Sequence, residues 1–474
     1  MADGLPATAR KSRALILSLL IAAYTLNFID RTIIGTIGQA IKVDLGISDT
    51  RLGLLGGTAF ALFYAVCSLP IARMADSRNR VKIISVAVII WSGFTALCGL
   101  AQNYVQLLLL RAAVGFGEAG LTPPAYSLIS SYYEPERRAS ALALFCLGIP
   151  LGTMVGAVAG GWLAQTFSWR EAFAIVGAPG LIVGLLIWWL VPEPSPHRLA
   201  AAPKAANRAS LGDVARIVFL TPSLRNFILG NVLVSFASYG IGLYQQPYFV
   251  RFFGMSYSQV GLIFGLIGGF GAAVGVIVGG YLTDWAGRRN IRWYALIPAF
   301  GLVLAGPLYA LAFTIDNWAL AAAMLVVPGI CQFLFLGPTL GVIQNSVGEH
   351  MRATASALLL LVTTLIALGL GPPFFGLCID LLTQHHFATL SAGDYLTLCP
   401  GGVAAAGAPE ALKSACSTSI ALGTRQAIAW NTLFYAWSAL HYLLAARSLP
   451  RDFARLRAAQ DEARPGAVQT LEVR

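Results

Sequence analysis

Ala72-Arg73-Met74-Ala75-Asp76-Ser77-Arg78-Asn79-Arg80 and Gly280-Tyr281-Leu282-Thr283-Asp284-Trp285-Ala286-Gly287-Arg288-Arg289 are two versions of one charged hairpin, each set between long apolar runs. An acid on the last turn of one helix, a tight turn and arginines opening the next can latch two membrane helices at one face and later release them. Its repetition divides the chain into two similar halves, the usual construction of secondary transporters. Asp76, Arg80, Asp284, Arg288 and Arg289 are therefore expected to be gating residues. The competing reading of each is a plain salt bridge at a helix end.

The runs outside the hairpins decide the solvent. Hydrophobic residues make up 57% of the 474 and charged residues 11%, with mean hydropathy +0.71. A soluble domain carries about a quarter charged residues, so this chain could not cover its surface in water. Twelve apolar runs are long enough to cross a hydrocarbon core: 14–36, 52–75, 81–101, 104–131, 138–164, 169–191, 225–249, 257–283, 290–313, 318–345, 353–381 and 424–447. In lipid only a helix or a closed barrel satisfies its own backbone, so the expected fold class is an all-α membrane protein of twelve transmembrane helices in two pseudo-symmetric six-helix bundles.

The basic residues orient it. Arg10, Lys11 and Arg13 precede the first run, and Arg73, Arg78, Arg80 and Lys82 follow the second. Arg137 and Arg138, the central segment, Arg288, Arg289 and Arg292, and Arg447 onward continue the alternation. The other loops carry few, Lys42, Arg51, Arg170, Arg251, Lys413 and Arg425 among them. Both termini are thus expected in the cytoplasm, of a bacterial inner membrane. The net charge of +11 is this bias and needs no nucleic acid. The first run keeps Asp30 and Arg31 inside it with no small-residue cleavage site after it, so it should remain as a helix.

Residues 1–191 and 225–448 read as the two bundles, 192–224 as a proline-containing cytoplasmic linker and 449–474 as a cytoplasmic tail. The extracytoplasmic loop 383–423 reads as a partly ordered cap. It holds Cys399 and Cys416, a disulfide candidate in an oxidising compartment, with two unlinked thiols as the alternative. The repeat extends further. Pro124 is followed fourteen residues on by Arg138-Ala139-Ser140-Ala141, and Pro338 at the same separation by Arg352-Ala353-Thr354-Ala355.

Ala72-x-Met74-x-Asp76-x-x-Asn79-Arg80 and Gly280-x-Leu282-x-Asp284-x-x-Gly287-Arg288-Arg289 resemble the loop motif of the major facilitator superfamily. Arg111-x-x-x-Gly115-x-Gly117-Glu118-Ala119 resembles its fourth-helix motif. Gly152-x-x-x-Gly156-Ala157-x-x-Gly160-Gly161 resembles its fifth-helix antiporter motif, with Ala157 where the pattern usually has proline. Asn27-Phe28-Ile29-Asp30-Arg31 with Gly117-Glu118-Ala119 resembles the spinster-like branch. That resemblance implies an alternating-access carrier of sphingolipid- or lysophospholipid-like amphiphiles.

An ionisable side chain deep in a span is costly unless paired or hydrated, so each is a functional candidate. Arg111 and Glu118, seven residues apart, share a helix face with ~10 Å of rise between them. Asp30 lies ~24 Å into the first helix and Arg111 ~10 Å into the fourth from the other side, so the two could meet in the outer half. Arg31 could serve either acid. Asp30 and Glu118 are the expected proton sites, and Arg31 and Arg111 tune them and contact an anionic headgroup. The alternative is a permanent buried salt bridge. Tyr244, Gln245, Gln246, Gln332, Trp430, Asn431 and Tyr435 are weaker candidates to line a substrate cavity; Gln344 is another, and His441 reads as packed.

No nucleotide-binding glycine loop, zinc-binding helix motif or nucleophile–base constellation is present, so an enzyme is not expected, nor a cofactor or metal. The expectation is a monomeric, proton-coupled exporter of an anionic amphiphile, with the bilayer, that substrate and protons as partners. A proton-linked carrier of small organic anions is the alternative, and a non-transporting receptor a third.

Overall fold

The computed structural model describes residues 7–193, 211–348 and 351–462, and among them the regular structure is entirely helical. Eleven helical segments are long and apolar enough to cross a membrane: α1 (Arg13–Leu45), α2 (Asp49–Ala75), α3 (Arg80–Cys98), α4 (Tyr104–Tyr132), α5 (Ser140–Thr166), α6 (Trp169–Leu190), α7 (Pro222–Phe253), α8 (Tyr257–Gly287), α9 (Trp293–Ala312), α10 (Trp318–Asn345) and α11 (Thr354–Leu390). The expected twelfth run falls on α12, in two parts, Glu410–Asn431 and Leu433–Glu462. Asn431 and His441, with its tryptophans and tyrosines, hold its hydropathy below that of the other eleven.

Local sequence sets the helix starts. Asn79 caps α3 by accepting from Lys82 N, and Asn103 caps α4 from Gln106 N. Ser168 and Glu171 form a reciprocal capping box on α6. The prolines act where helices yield: α4 turns at Ala119–Leu121 just before Pro123-Pro124, while Pro372 and Pro373 follow the π-helical turn Thr363–Leu368 in α11.

Two boundaries differ from the sequence reading. The loop expected over 383–423 is shorter, because α11 continues to Leu390 and α12 begins at Glu410. The linker 192–224 contains a helix, Leu211–Leu220, and α7 begins inside it at Pro222; residues 194–210 and 463–474 lie outside the described residues.

Contacts divide the described residues into two compact units. The first draws on Met1–Ala202, Tyr239–Phe270 and Leu368–Ile428, the second on Pro203–Ser238, Gly271–Ala367 and Ala429–Arg474. In the first, α1 packs along α5, α3 along α6, and α4 against both α2 and α3. Two glycines make this possible. A Cβ at Gly152 of α5 would sit 2.4 Å from Thr25 O of α1, and one at Gly115 of α4 would sit 2.4 Å from Phe60 O of α2. These close approaches fix the faces of α1 and α4 that carry Asp30, Arg31, Arg111 and Glu118. In the second unit α9 packs on both α10 and α12.

Candidate functional site: paired charges on α1 and α4

The four charges inside the first unit sort into two pairs. Arg111 Nη1 donates to both Asp30 oxygens, at 3.2 and 3.1 Å, and Thr95 Oγ1 of α3 adds a 3.0 Å bond to Asp30 Oδ1. Asp30 and Arg111 are buried, so this pair is a closed unit with both carboxylate oxygens satisfied. Arg31, which sequence depth left open to either acid, goes to Glu118, with Nε 2.7 Å from Oε2.

The second pair is built differently. Glu118 is fully buried and its Oε1 has no hydrogen-bond partner. The Arg31 side chain is 24% exposed. Its guanidinium carbon lies 5.3, 4.8 and 4.9 Å from the ring centroids of Phe28, Phe60 and Tyr64. Aromatic faces hold a cation in place without neutralising it. Arg31 is thus accessible to an outside anion while Glu118 keeps one oxygen free in an apolar setting. Asp30 lies within electrostatic reach of Glu118.

A second charged cluster, at the Leu45 end of α1, was not anticipated. Asp49, first residue of α2, receives Lys42 Nζ on Oδ2 and Arg251 Nη2 on Oδ1, the latter at 2.6 Å. Arg251 also donates from Nε to Gln39 Oε1 at 2.7 Å and from Nη1 to Thr424 Oγ1 at 2.9 Å. Asp380 of α11 caps the start of α2 from outside the helix, accepting from Asp49 N at 2.9 Å, Thr50 N at 2.8 Å and Thr50 Oγ1 at 2.6 Å. Lys42, Asp49 and Asp380 are buried and the Arg251 side chain is shielded with them, so two cations and two anions join α1 and α2 to α7 and α11. Their only trace in the sequence was that Lys42 and Arg251 stand in loops otherwise poor in basic residues.

Tyr244 belongs to this cluster, donating to Asp49 O at 2.5 Å while fully buried. It is engaged in holding α7 to α2. Gln245 is half-buried, and Gln246 is buried with Oε1 lacking a hydrogen-bond partner. Cys399 and Cys416 are joined in a disulfide, packed with Phe387, Tyr395 and Ala415 beside the same cluster, and Gly401 lies against the Lys42 backbone.

At the hairpin end, Arg80 is buried and pairs with Glu193 Oε1 at 2.8 Å, while its Nη1 bonds Ser127 and Ser131 of α4. Glu193 Oε2 also accepts from Val81 N, capping α3. The side chain of Asp76 lies outside the described residues. In the second hairpin Asp284 accepts from Tyr294 Oη at 3.2 Å, and Arg289 lies 5.0 Å over the Trp285 ring. Among the described residues Arg288 makes no ion pair.

In the second unit Gln332 is the centre of a polar network. Its Oε1 accepts from Ser238 Oγ at 2.9 Å and Tyr435 Oη at 3.0 Å, and its Nε2 donates to Tyr309 Oη at 2.7 Å. Tyr435 stacks on Tyr309 at 5.5 Å. Asn431 is buried, whereas Trp430 is exposed. Gln344 donates to Ser356, and His441 packs on Asn226.

Residues 20–372 match the Major Facilitator Superfamily. The chain is 32% identical over 362 residues to an MFS-type efflux pump of Mycolicibacterium smegmatis, covering 76% of this chain and 83% of that protein. It is 25% identical over 396 residues to the hexuronate transporter of Bacillus subtilis, covering 81% and 92%. It is 27% identical over 414 residues to the mouse sphingosine-1-phosphate transporter SPNS2, covering 79% and 72%. The crystal structure of a bacterial homolog of the human lysosomal transporter Spinster, inward-facing and unoccupied, is 34% identical, covers 93% of this chain and 98% of that one, and superposes with a TM-score of 0.85. These relatives are transporters, not enzymes, and the chain belongs to the major facilitator superfamily, where it resembles the spinster branch.

Proposed function

We propose that the protein is a proton-coupled secondary transporter of an anionic amphiphile, working by alternating access between the halves 1–191 and 225–448. The carrying observation is the Arg31–Glu118 pair: an accessible guanidinium on an aromatic floor, bonded to a buried carboxylate with one oxygen unpartnered. An anionic headgroup takes Arg31, and half-buried Phe28 beside it offers apolar surface to the adjoining tail, while Phe60 and Tyr64 back the guanidinium from within the core. The sphingosine-1-phosphate named for SPNS2 is a molecule of this shape.

The same geometry gives the coupling a sign. An anion that draws Arg31 away leaves the Glu118 carboxylate uncompensated in an apolar site, and a proton is what neutralises it. Anion and proton therefore load together here. Under an inward proton gradient this linkage drives the anion inward. The export expected from the sequence, and named for the mycobacterial relative, instead needs the substrate's own gradient or a linkage of the opposite sign. Asp30, both oxygens already occupied, serves to position Arg111 and to add negative field at Glu118. With both termini cytoplasmic, the Lys42–Asp49–Arg251–Asp380 network closes the extracytoplasmic end and the hairpins lie at the cytoplasmic end. Arg80 there is a fixed anchor on Glu193, and gating at Asp76, Asp284, Arg288 and Arg289 proceeds around it. The protein acts as a monomer without a cofactor.

A second reading, a carrier of small organic anions, is favoured by the likeness to the hexuronate transporter, because a carboxylate would also pair with Arg31. Flux of sphingosine 1-phosphate and of glucuronate into proteoliposomes, with wild type and Arg31→Gln, separates the two. Arg31-dependent movement of the long-chain phosphate alone supports the first reading. Arg31-dependent movement of glucuronate alone replaces it with the second.

A further inference from the structure

A groove of about 480 Å³ lies where α2, α3 and α4 meet near the first hairpin, lined on α4 by Phe116, Gly117 and Gly120 and not by any of the four α1–α4 charges themselves. Met74, Ile83, Val86 and Phe116 give it an apolar lining, while Arg78 and Lys82 stand at the same groove. Both cations are exposed, and among the described residues neither makes an ion pair. The nearby acid, Glu193, is occupied by Arg80 and by the Val81 amide. Lys82 lies 5.8 Å from the Trp188 ring, near the end of α6, and tryptophans at helix ends are enriched at membrane interfaces.

We propose that this groove binds an anionic glycerophospholipid of the cytoplasmic leaflet, with an acyl chain along Met74, Ile83, Val86 and Phe116 and the phosphate on Arg78 and Lys82. Charge complementarity selects the occupant. A neutral tail is satisfied by any lipid, but two cations without an ion pair among the described residues, beside an apolar slot, are satisfied by a lipid of net negative charge, as basic pockets between membrane helices generally are. The assignment uses the orientation read from the basic residues and does not depend on which substrate Arg31 takes.

The test is native mass spectrometry of the delipidated full chain, titrated with phosphatidylglycerol, with phosphatidylcholine of the same acyl chains and with inorganic phosphate. Wild type should prefer phosphatidylglycerol by roughly 10- to 30-fold, about two cations' attraction to an anionic headgroup. Arg78→Gln with Lys82→Gln should bring that preference to within about twofold while phosphatidylcholine binding is unchanged, which also shows that the variant is folded. Val86→Trp, filling the slot, should weaken both lipids. Equal binding of the two lipids by wild type, or a preference that survives the double substitution, overturns the proposal. Displacement of phosphatidylglycerol by inorganic phosphate at matched concentration overturns it too, in favour of a simple anion site.

Discussion

Replacing Arg251 by glutamine should unlatch the Asp49 network, which the proposed orientation puts at the extracytoplasmic end. Arg251 makes three hydrogen bonds, to Asp49 at 2.6 Å, Gln39 at 2.7 Å and Thr424 at 2.9 Å. Its side chain and that of Asp49 are 2% and 1% exposed, so water does little to screen their attraction. Removing one partner of a buried pair costs about 3–5 kcal/mol, because the remaining charge loses its compensation. Here Lys42 still holds Asp49, so the lower figure applies. About 3 kcal/mol directed against the closed arrangement shifts its equilibrium by more than 100-fold, which takes a 99:1 population to about even. The assay is a spin-label distance between positions 51 and 388, with the five reduced cysteines replaced and the Cys399–Cys416 bond kept. Arg251→Gln should add a second, longer distance of comparable weight. An unchanged distribution in a normally folded variant would refute the latch and make the network static packing.

Other outcomes follow from the same contacts. Asp30→Asn should cost about 3–5 kcal/mol in stability by uncoupling buried Arg111, yet leave the pH response of flux unchanged, as thermal unfolding and transport in parallel would read. Gly152→Ala forces a Cβ to 2.4 Å from Thr25 O and should destabilise by about 1–3 kcal/mol through overpacking of α1 on α5. Reducing Cys399–Cys416, which closes a 17-residue separation, should remove about 3 kcal/mol of restraint on the cap and speed proteolysis at Lys413 with the helices intact. Asp394 accepts from Thr397 N at 2.9 Å and Thr397 Oγ1 at 2.7 Å, which holds its carboxyl below the usual carboxylate range. A depressed carboxyl contributes fully above its unfolded value of about 3.9 and loses that contribution as pH falls through the folded one. The cap should therefore loosen in acid, and hydrogen-exchange protection factors over 394–398, corrected for the intrinsic pH dependence of amide exchange, should be unchanged between pH 5 and 7.

The hydropathy of the runs carried the fold, because in lipid an apolar stretch of span length has only the helix open to it. The twelfth apolar run, 424–447, lies on the helix α12, but that helix is not among the eleven long and apolar enough to cross a membrane. The α1–α4 site was legible as to members, for charges in a span stand out. The pairing was not: rise along a helix gives depth, whereas partner choice depends on helix rotation, set here by the close approaches at Gly115 and Gly152. The Asp49 cluster escaped altogether. Asp380 stands 331 residues from Asp49 in sequence, and near span ends charged residues look like ordinary loop chemistry. Arg80 and Glu193, 113 residues apart, escaped for the same reason, and the local hairpin pattern suggested a nearer partner.

The proposal stands or falls on Glu118 carrying the coupled proton, because among the described residues Arg31 is the cation that hydrogen-bonds it and that side chain is partly exposed. The direct measurement is sphingosine 1-phosphate flux into proteoliposomes with and without an imposed pH gradient, for wild type and Glu118→Gln. The gradient should accelerate wild-type flux, and the variant should transport at a rate indifferent to it. A variant that keeps the full pH response would contradict the account and return the Arg31–Glu118 pair to a fixed structural role.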